Sequence, residues 1–254
     1  MILPRSVLIT GAAGNLGAKL AAHLRGSTRL ILLDRLETEN VQMAELSTWG
    51  DWTRHFESVE AVVHLAGNPV AYHDWPELTR PNVDAMLNVY QAATVHGVKR
   101  FVFASSNHVM GGYQDGPQLP ITEDMPPKPG LRYFADGAER FSGAYAATKL
   151  LGERVGQHYA ATHGIEVIAV RLGWVWRGFN QPHALPVDRG EWFRNMWLSD
   201  RDYLQLMVCC LTAHLPNPFL IVNGMSANTN MRWDLTIART LLGYTPQDNV
   251  YASS

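Results

Sequence analysis

A chain of 254 residues, 46% hydrophobic and 17% charged, is long enough to bury one large core or two small ones. A formal net charge of -2 gives no global basic footprint for nucleic acid, no Lys/Arg block marks a membrane surface, and no apolar stretch has the length needed to span a bilayer. The cysteines, Cys209 and Cys210, are adjacent, a spacing that rarely closes an unstrained bridge, so they are expected as reduced core thiols of a cytoplasmic protein. The apolar start is interrupted at Pro4 and Arg5, and no signal-peptide pattern is visible.

The first element is Ser6-Val-Leu-Ile-Thr10, an apolar run of strand type, followed at once by Gly11-Ala-Ala-Gly14-Asn-Leu-Gly17 and a helical pattern through Leu24. A strand, a tight glycine turn and a helix N-terminus gather backbone N–H groups and the positive end of the helix dipole around a phosphate-sized hollow. Gly11 permits the turn, Gly14 lets the backbone approach the phosphates, and Gly17 lets the helix pack close on the strand. Ala13, Asn15 and Leu16 complete the loop.

The second run, Arg29 to Leu33, ends at Asp34, about twenty residues beyond the glycines, where a carboxylate accepts hydrogen bonds from an adenosine ribose and repels a 2′-phosphate. NAD is therefore expected over NADP, with Arg35 next door as the residue able to accommodate that phosphate. The alternative for Asp34 is a cap after the strand. Further apolar runs at Ala61–Leu65, Arg100–Ala104 and Val167–Val170 alternate with helical patterns, one of which carries Asn82. The alternation predicts a doubly wound parallel α/β sheet of Rossmann type, with ligands outside the carboxyl ends of its strands. The Gly loop, Asp34, the turn Leu65-Ala-Gly67-Asn68 and Ser105-Ser-Asn-His108 all fall there.

A helix is expected from about Ser142 to about His163, and on it Tyr145 and Lys149 are four apart, so their polar ends converge on one small volume. A fixed positive charge beside a phenol favours phenolate, which makes the two a plausible acid/base pair; the alternative is an amphipathic helix with one aromatic anchor and one solvated lysine. Farther on, Asp188-Arg-Gly-Glu-Trp-Phe-Arg194 offers Arg189 and Arg194 near aromatic surface, a setting for an anion, or else a helix start whose arginines pair with Asp188 and Glu191. Trp174, Trp176 and Trp192 suit either sugar stacking or core packing. The ten histidines show no compact metal-ligand spacing, and no metal is expected.

The motifs TGAAGNLG, HLAG, FASSNH and YAATK, in this order, resemble the extended short-chain dehydrogenases/reductases of the NAD-dependent epimerase/dehydratase type over nearly the whole chain. The resemblance implies Ser106 as catalytic serine, Tyr145 as base, Lys149 as ligand of the cofactor ribose and Asn82 as organiser of the proton relay. Leu65, Ala66 and Gly67 would contact the cofactor, and Glu45-Leu46 stand where the family has Asp-Leu beside the adenine. Residues 1–172 would form the NAD-binding core and 173–254 a small substrate-binding region that is not independently folded.

Within that type the chain most resembles the uronate dehydrogenases, through Ser105 to His108, Trp197-Leu-Ser-Asp200, Asn223 to Asn228, Trp233-Asp234 and Pro246 to Asn249. This implies NAD-dependent oxidation at C1 of a hexose with an anionic group at C6 (uronate, 6-phosphate or 6-sulfonate), in a homo-oligomer, with Asn68, Ser106, Asn107, His108 and Tyr145 facing the sugar. The chain departs from the family where its carboxylate-binding arginine aligns near Trp192, with Arg189 and Arg194 close by. It departs also where family serines are Trp174 and Pro69, and in an extra stretch from about Leu131 to Phe141. The same serine, tyrosine and lysine would serve a sugar epimerase or dehydratase with tightly held NAD, and a non-catalytic NAD-sensing protein is the third reading.

Overall fold

The computed structural model describes residues 2–252. In chain order its elements are β1 (Ser6–Thr10), α1 (Asn15–Leu24), β2 (Arg29–Asp34), β3 (Gln42–Met43), β4 (Ala61–His64), α2 (Trp75–Leu78), α3 (Ala85–Val95) and β5 (Arg100–Ser106). Then come β6 (Arg132–Ala135), β7 (Ala138–Phe141), α4 (Gly143–His163), β8 (Glu166–Leu172), α5 (Gly190–Asn195), α6 (Asp200–Thr212), β9 (Phe219–Gly224) and α7 (Thr236–Leu242).

The described residues build a seven-stranded sheet in the order β3-β2-β1-β4-β5-β8-β9, with every pairing parallel. Strands buried on both faces need apolar residues at every position, which is why the runs read as continuous rather than alternating. Val7, Ile9, Val63, Val102 and Ile168 enter one core with Leu20 and Leu24 of α1 and Leu206 and Cys210 of α6. Their neighbours Leu8, Val62, Phe101, Phe103 and Val167 enter the other with Met86, Val89 and Tyr90 of α3 and Ala160 of α4.

The sequence reading holds five strands; the sheet has two more. β3 is only two residues long, too short to show a period, whereas β9 is a readable apolar run that pairs with β8 from Val167↔Phe219 to Leu172↔Gly224. The expected substrate-binding region therefore completes the sheet through Phe219–Gly224 as well as lying beside its strand ends. β5 also runs two residues past Ala104, so Ser106 closes a strand instead of standing in a turn. The extra stretch forms an antiparallel hairpin, β6 with β7.

The order of connection reverses between β1 and β4, and the crevice at that switch point is where such sheets take ligands. Two local devices shape it. α4 lies close on the sheet because a Cβ at Gly152 would come within 2.2 Å of the Phe103 ring. Ahead of α3, Thr79–Asp84 is a wide π-type turn, and Pro81, with no N–H to give, lies inside it.

Candidate functional site

The glycine loop is built as its spacing implies. Gly11 has φ 71°, a left-handed conformation that side chains disfavour, and a Cβ on it would lie 2.7 Å from the Ala66 nitrogen, so the loops after β1 and β4 touch. A Cβ on Gly17 would lie 2.1 Å from the Gly11 oxygen. The N-terminus of α1 has no side-chain cap and no acidic residue in its first turn, leaving Asn15 and Leu16 to present backbone N–H groups, while the Gly14 N–H closes the turn on the Gly11 carbonyl at 3.0 Å. Asp34 stands beside the loop, accepting from the Ala13 N–H at 3.0 Å and the Leu36 N–H at 3.2 Å. An uncapped helix end, a cradle with no room for side chains and a carboxylate beyond it fit a dinucleotide.

Across the crevice, Asn82 on the π turn holds the next loop. Its Oδ1 accepts from the Asn68 N–H at 2.6 Å, and its Nδ2 donates to the Asn68 carbonyl at 3.2 Å and to Thr148 Oγ1 at 3.4 Å. Beyond β2 the elements are more exposed. Arg35 is solvent-facing, and Glu45 is also exposed, accepting from the Ser47 N–H at 3.0 Å. Those Ser47 hydrogen bonds hold the Glu45 carboxyl below its usual range. Leu46 is buried and packs into the core behind it.

At the strand ends lies a cavity of about 210 Å³ whose wall includes Gly67, Asn68, Ser106, His108, Tyr145 and Lys149. Leu16, Leu65, Asn107 and Trp174 also face it, so the structure gathers ten of the expected residues on one wall. The Ser106 hydroxyl accepts from the His108 N–H at 3.2 Å. Lys149 Nζ donates to the Ala104 carbonyl at 2.9 Å and lies 5.8 Å from the centre of the Tyr145 ring. Asn107 donates to the Leu172 carbonyl at 2.8 Å, which leaves its Oδ1 buried and unpartnered, as is His108 Nδ1.

Burial governs the electrostatics. It pulls Lys149 down to about 8, so the amine is still mostly ammonium at neutral pH. It holds His108 at about 4, assisted by the charge of Arg189, so that imidazole is neutral. Tyr145 departs from expectation: burial raises its pKa, and the opposing pull is a hydrogen bond with Ser106 rather than the lysine. The physical reason is that both groups lose solvent together, and Lys149 spends a hydrogen bond on Ala104 instead of the phenol.

The run 188–194 divides. Arg189 lies near the cavity, its guanidinium 5.5 Å from the Tyr133 ring and 6.0 Å from that of Phe193, a cavity residue. Trp192 does not reach the cavity; it packs on Trp233 at 4.5 Å, with the Arg232 guanidinium 5.6 Å from its ring. Arg194 turns away as well, 5.3 Å over Tyr251. Both expected sugar contacts are displaced because a short helix shows the cavity one face, and Phe193 occupies it. Trp174 meets the cavity edge-on to Phe193 at 5.5 Å and to Trp176 at 5.4 Å. Sequence reasoning missed Phe193 and Tyr133; the signal for Tyr133 was Asp136-Gly137, a two-residue hairpin turn pair in the extra stretch.

The chain is similar to known proteins over nearly its whole length. An NAD-dependent glucose-6-phosphate dehydrogenase from Haloferax volcanii is 34% identical over 97% of this chain and 95% of its own length. An L-arabinose 1-dehydrogenase (NAD(P)(+)) from the same organism is 30% identical over 96% of each chain. A mutant uronate dehydrogenase from Agrobacterium tumefaciens complexed with NAD superposes with a TM-score of 0.80 at 27% identity, over 97% of this chain and 86% of that one. The sequence pattern of the NAD dependent epimerase/dehydratase family matches residues 7–176. The chain belongs to the NAD dependent epimerase/dehydratase family and is an NAD-dependent dehydrogenase.

Proposed function

We propose that the enzyme oxidises a sugar, removing hydrogen from C1 of an aldohexose whose C6 carries a carboxylate, phosphate or sulfonate, and releasing the lactone. The observation that carries this reading is the composition of the cavity wall: Ser106, Tyr145 and Lys149 converge there, Asn107 and His108 offer unpartnered polar atoms, and among the described residues no Asp or Glu lines it. The relatives act, by their names, on glucose 6-phosphate, L-arabinose and uronate.

In this reading Ser106 and Tyr145 hydrogen-bond the C1 hydroxyl, and Tyr145 Oη takes its proton. NAD, when bound, supplies the two-electron acceptor for the C1 hydride. Donation from Ser106 stabilises the phenolate that must form first, against the burial that opposes it. Lys149 faces the cofactor ribose. Gly11 to Gly17 hold the pyrophosphate, Asp34 and Arg35 flank the adenosine ribose, and Glu45 and Leu46 flank the adenine. Leu65 to Gly67 line the nicotinamide side under the control of Asn82, while Asn68, Asn107, His108 and Trp174 face the sugar. Residues 173–198 supply much of the substrate side, while α6 and β9 belong to the core that the cofactor-binding half begins.

The test is NADH formation with glucuronate, galacturonate, glucose 6-phosphate, sulfoquinovose, glucose and L-arabinose, beside Tyr145→Phe. One anionic sugar should be oxidised, and Tyr145→Phe should lower kcat by about 10²–10⁴-fold, the usual worth of general base catalysis. A Tyr145→Phe enzyme with nearly intact kcat overturns the assignment of the base. NAD retained through gel filtration, with no net NADH from any sugar, replaces the dehydrogenation of a free sugar by epimerisation.

A further inference from the structure

We infer that the anionic end of the sugar is read by Arg189, presented to the cavity by the β6–β7 hairpin through Tyr133, so that the hairpin is the specificity element of this enzyme. The inference rests on the anionic-sugar reading above and names the residues that would execute it.

The family resemblance puts an arginine near Trp192, and the Trp192 side chain is committed elsewhere, against Trp233. Arg194 is committed to Tyr251. Arg189 is the remaining cation of the run. Among the described residues no carboxylate forms an ion pair with it, Asp188 and Glu191 included, and its Nε is buried without a hydrogen-bond partner. Its charge reaches the cavity, since it helps hold the His108 imidazole neutral. A guanidinium with an unfilled donor beside a cavity suits an oxyanion, which its planar fork grips through two parallel hydrogen bonds.

The hairpin fixes that arginine. Asp136 and Gly137 at its tip have φ 52° and 75°, a two-residue turn that matches the twist of the strands. Strand alternation then sends Tyr133 and Ala135 inward, both buried, and Arg132 and Phe134 outward, both exposed. Tyr133 meets the Arg189 guanidinium by ring face and by hydrogen bond, and lies 5.2 Å from Phe193 and 6.0 Å from His108.

Both ends of the hairpin are tied to the site. At the tip, the Tyr72 hydroxyl donates to Asp136 at 3.1 Å, and the Arg140 guanidinium sits 4.4 Å over the Tyr72 ring, next to the cavity residue Ala71. At the base, the Leu131 N–H donates to Ser142 Oγ at 3.1 Å, immediately before the helix that carries Tyr145. From the cavity residues Tyr145 and His108, ring contacts lead to Tyr133 and from it to Arg189, so the reacting hydroxyl would lie at one end of this chain and the anion at the other. A carboxylate, a sulfonate and a phosphate share the oxyanion chemistry this arrangement recognises.

The test compares kcat/KM for glucuronate, glucose 6-phosphate and sulfoquinovose, each against glucose, in the wild type, Arg189→Ala, Arg189→Lys and Tyr133→Phe. Loss of a charged hydrogen-bonding partner should lower the anionic-to-neutral ratio about 10–100-fold in Arg189→Ala, through KM for the anionic sugar. Arg189→Lys, which keeps the charge and loses the fork, should fall between, and Tyr133→Phe should lower the ratio less. NAD affinity measured by fluorescence quenching reports whether each variant is folded. If Arg189→Ala does not fold, Arg189→Lys and Tyr133→Phe carry the decision. A variant series that keeps the wild-type ratio overturns the inference alone. A wild type that shows no preference for any anionic sugar overturns the substrate reading, and the role of Arg189 with it.

Discussion

Replacing Glu153 by alanine tests how the catalytic helix is anchored. Glu153 and Arg171 are buried at 0% and 1% side-chain exposure and joined by two hydrogen bonds of 2.9 Å, Nε to Oε1 and Nη2 to Oε2. Ser105, the neighbour of Ser106, donates to the same carboxylate at 2.7 Å. Alanine would strand the Arg171 guanidinium, which already has its Nη1 unpartnered, in the interior between α4 and β8. Removing one partner of a buried pair costs about 3–5 kcal/mol. For a chain of this length each kcal/mol is worth roughly 2–4 °C, so Tm should fall by about 6–20 °C in differential scanning calorimetry. Glu153 lies one and two turns beyond Lys149 and Tyr145 on one helix face, so kcat should fall with Tm. The double variant Glu153→Leu/Arg171→Met, which removes both charges and keeps the volume, should recover most of the lost Tm. A fall of less than about 3 °C in Glu153→Ala would refute the view that this pair is an uncompensated-charge hazard.

Gly17→Ala should abolish NAD binding or folding, since its Cβ would lie 2.1 Å from the Gly11 oxygen and 2.7 Å from the Ala12 Cα, both backbone atoms; isothermal titration with NAD at wild-type affinity would contradict the cradle. Acid should weaken the fold through two histidines held neutral by burial, His64 at about 3 and His108 at about 4. Both folded pKa values lie below the unfolded 6.5, so the unfolded chain takes up protons first, and stability that is complete above pH 6.5 is lost as pH falls toward those values. Urea midpoints that stay level between pH 7 and pH 5 would contradict this, and His64→Phe should flatten the slope.

The cofactor side of the site was legible because its signals are local. A glycine turn between a strand and a helix, or a tyrosine and a lysine four apart, carries its geometry in a few consecutive residues. β9 was equally local, an apolar run ending at Asn223-Gly224 that is as readable a strand as β8. The substrate side was less legible. Which face of the six-residue α5 meets the cavity depends on whether Phe193 or Trp192 fills the hole left by Tyr133 and Trp174, a matter of packing between segments far apart in the chain. The hairpin did carry a signal, the turn pair Asp136-Gly137, yet its partner in the fold, Arg189, lies in another segment and no spacing links them.

Desolvation joins the two ends of the site. It raises the Tyr145 pKa and lowers that of Lys149 to about 8, so each charge on this wall is costly to make, and for the same reason each one present acts strongly on what enters. With no carboxylate of the described residues lining the cavity, its field is set by Lys149 at the end near Tyr145 and by Arg189 behind Phe193 at the other. Negative charge develops on the sugar oxygen as Tyr145 takes its proton, and fixed negative charge sits at the far end of an anionic sugar, so both would meet a cation. His108 spans the interval, its ring 5.6 Å from Tyr145 and 6.0 Å from Tyr133. A histidine protonated there would sit beside Arg189 and would compete for the anion. Held neutral at about 4, it keeps an unpaired Nδ1 for a sugar hydroxyl and leaves the recognition of charge to the arginine.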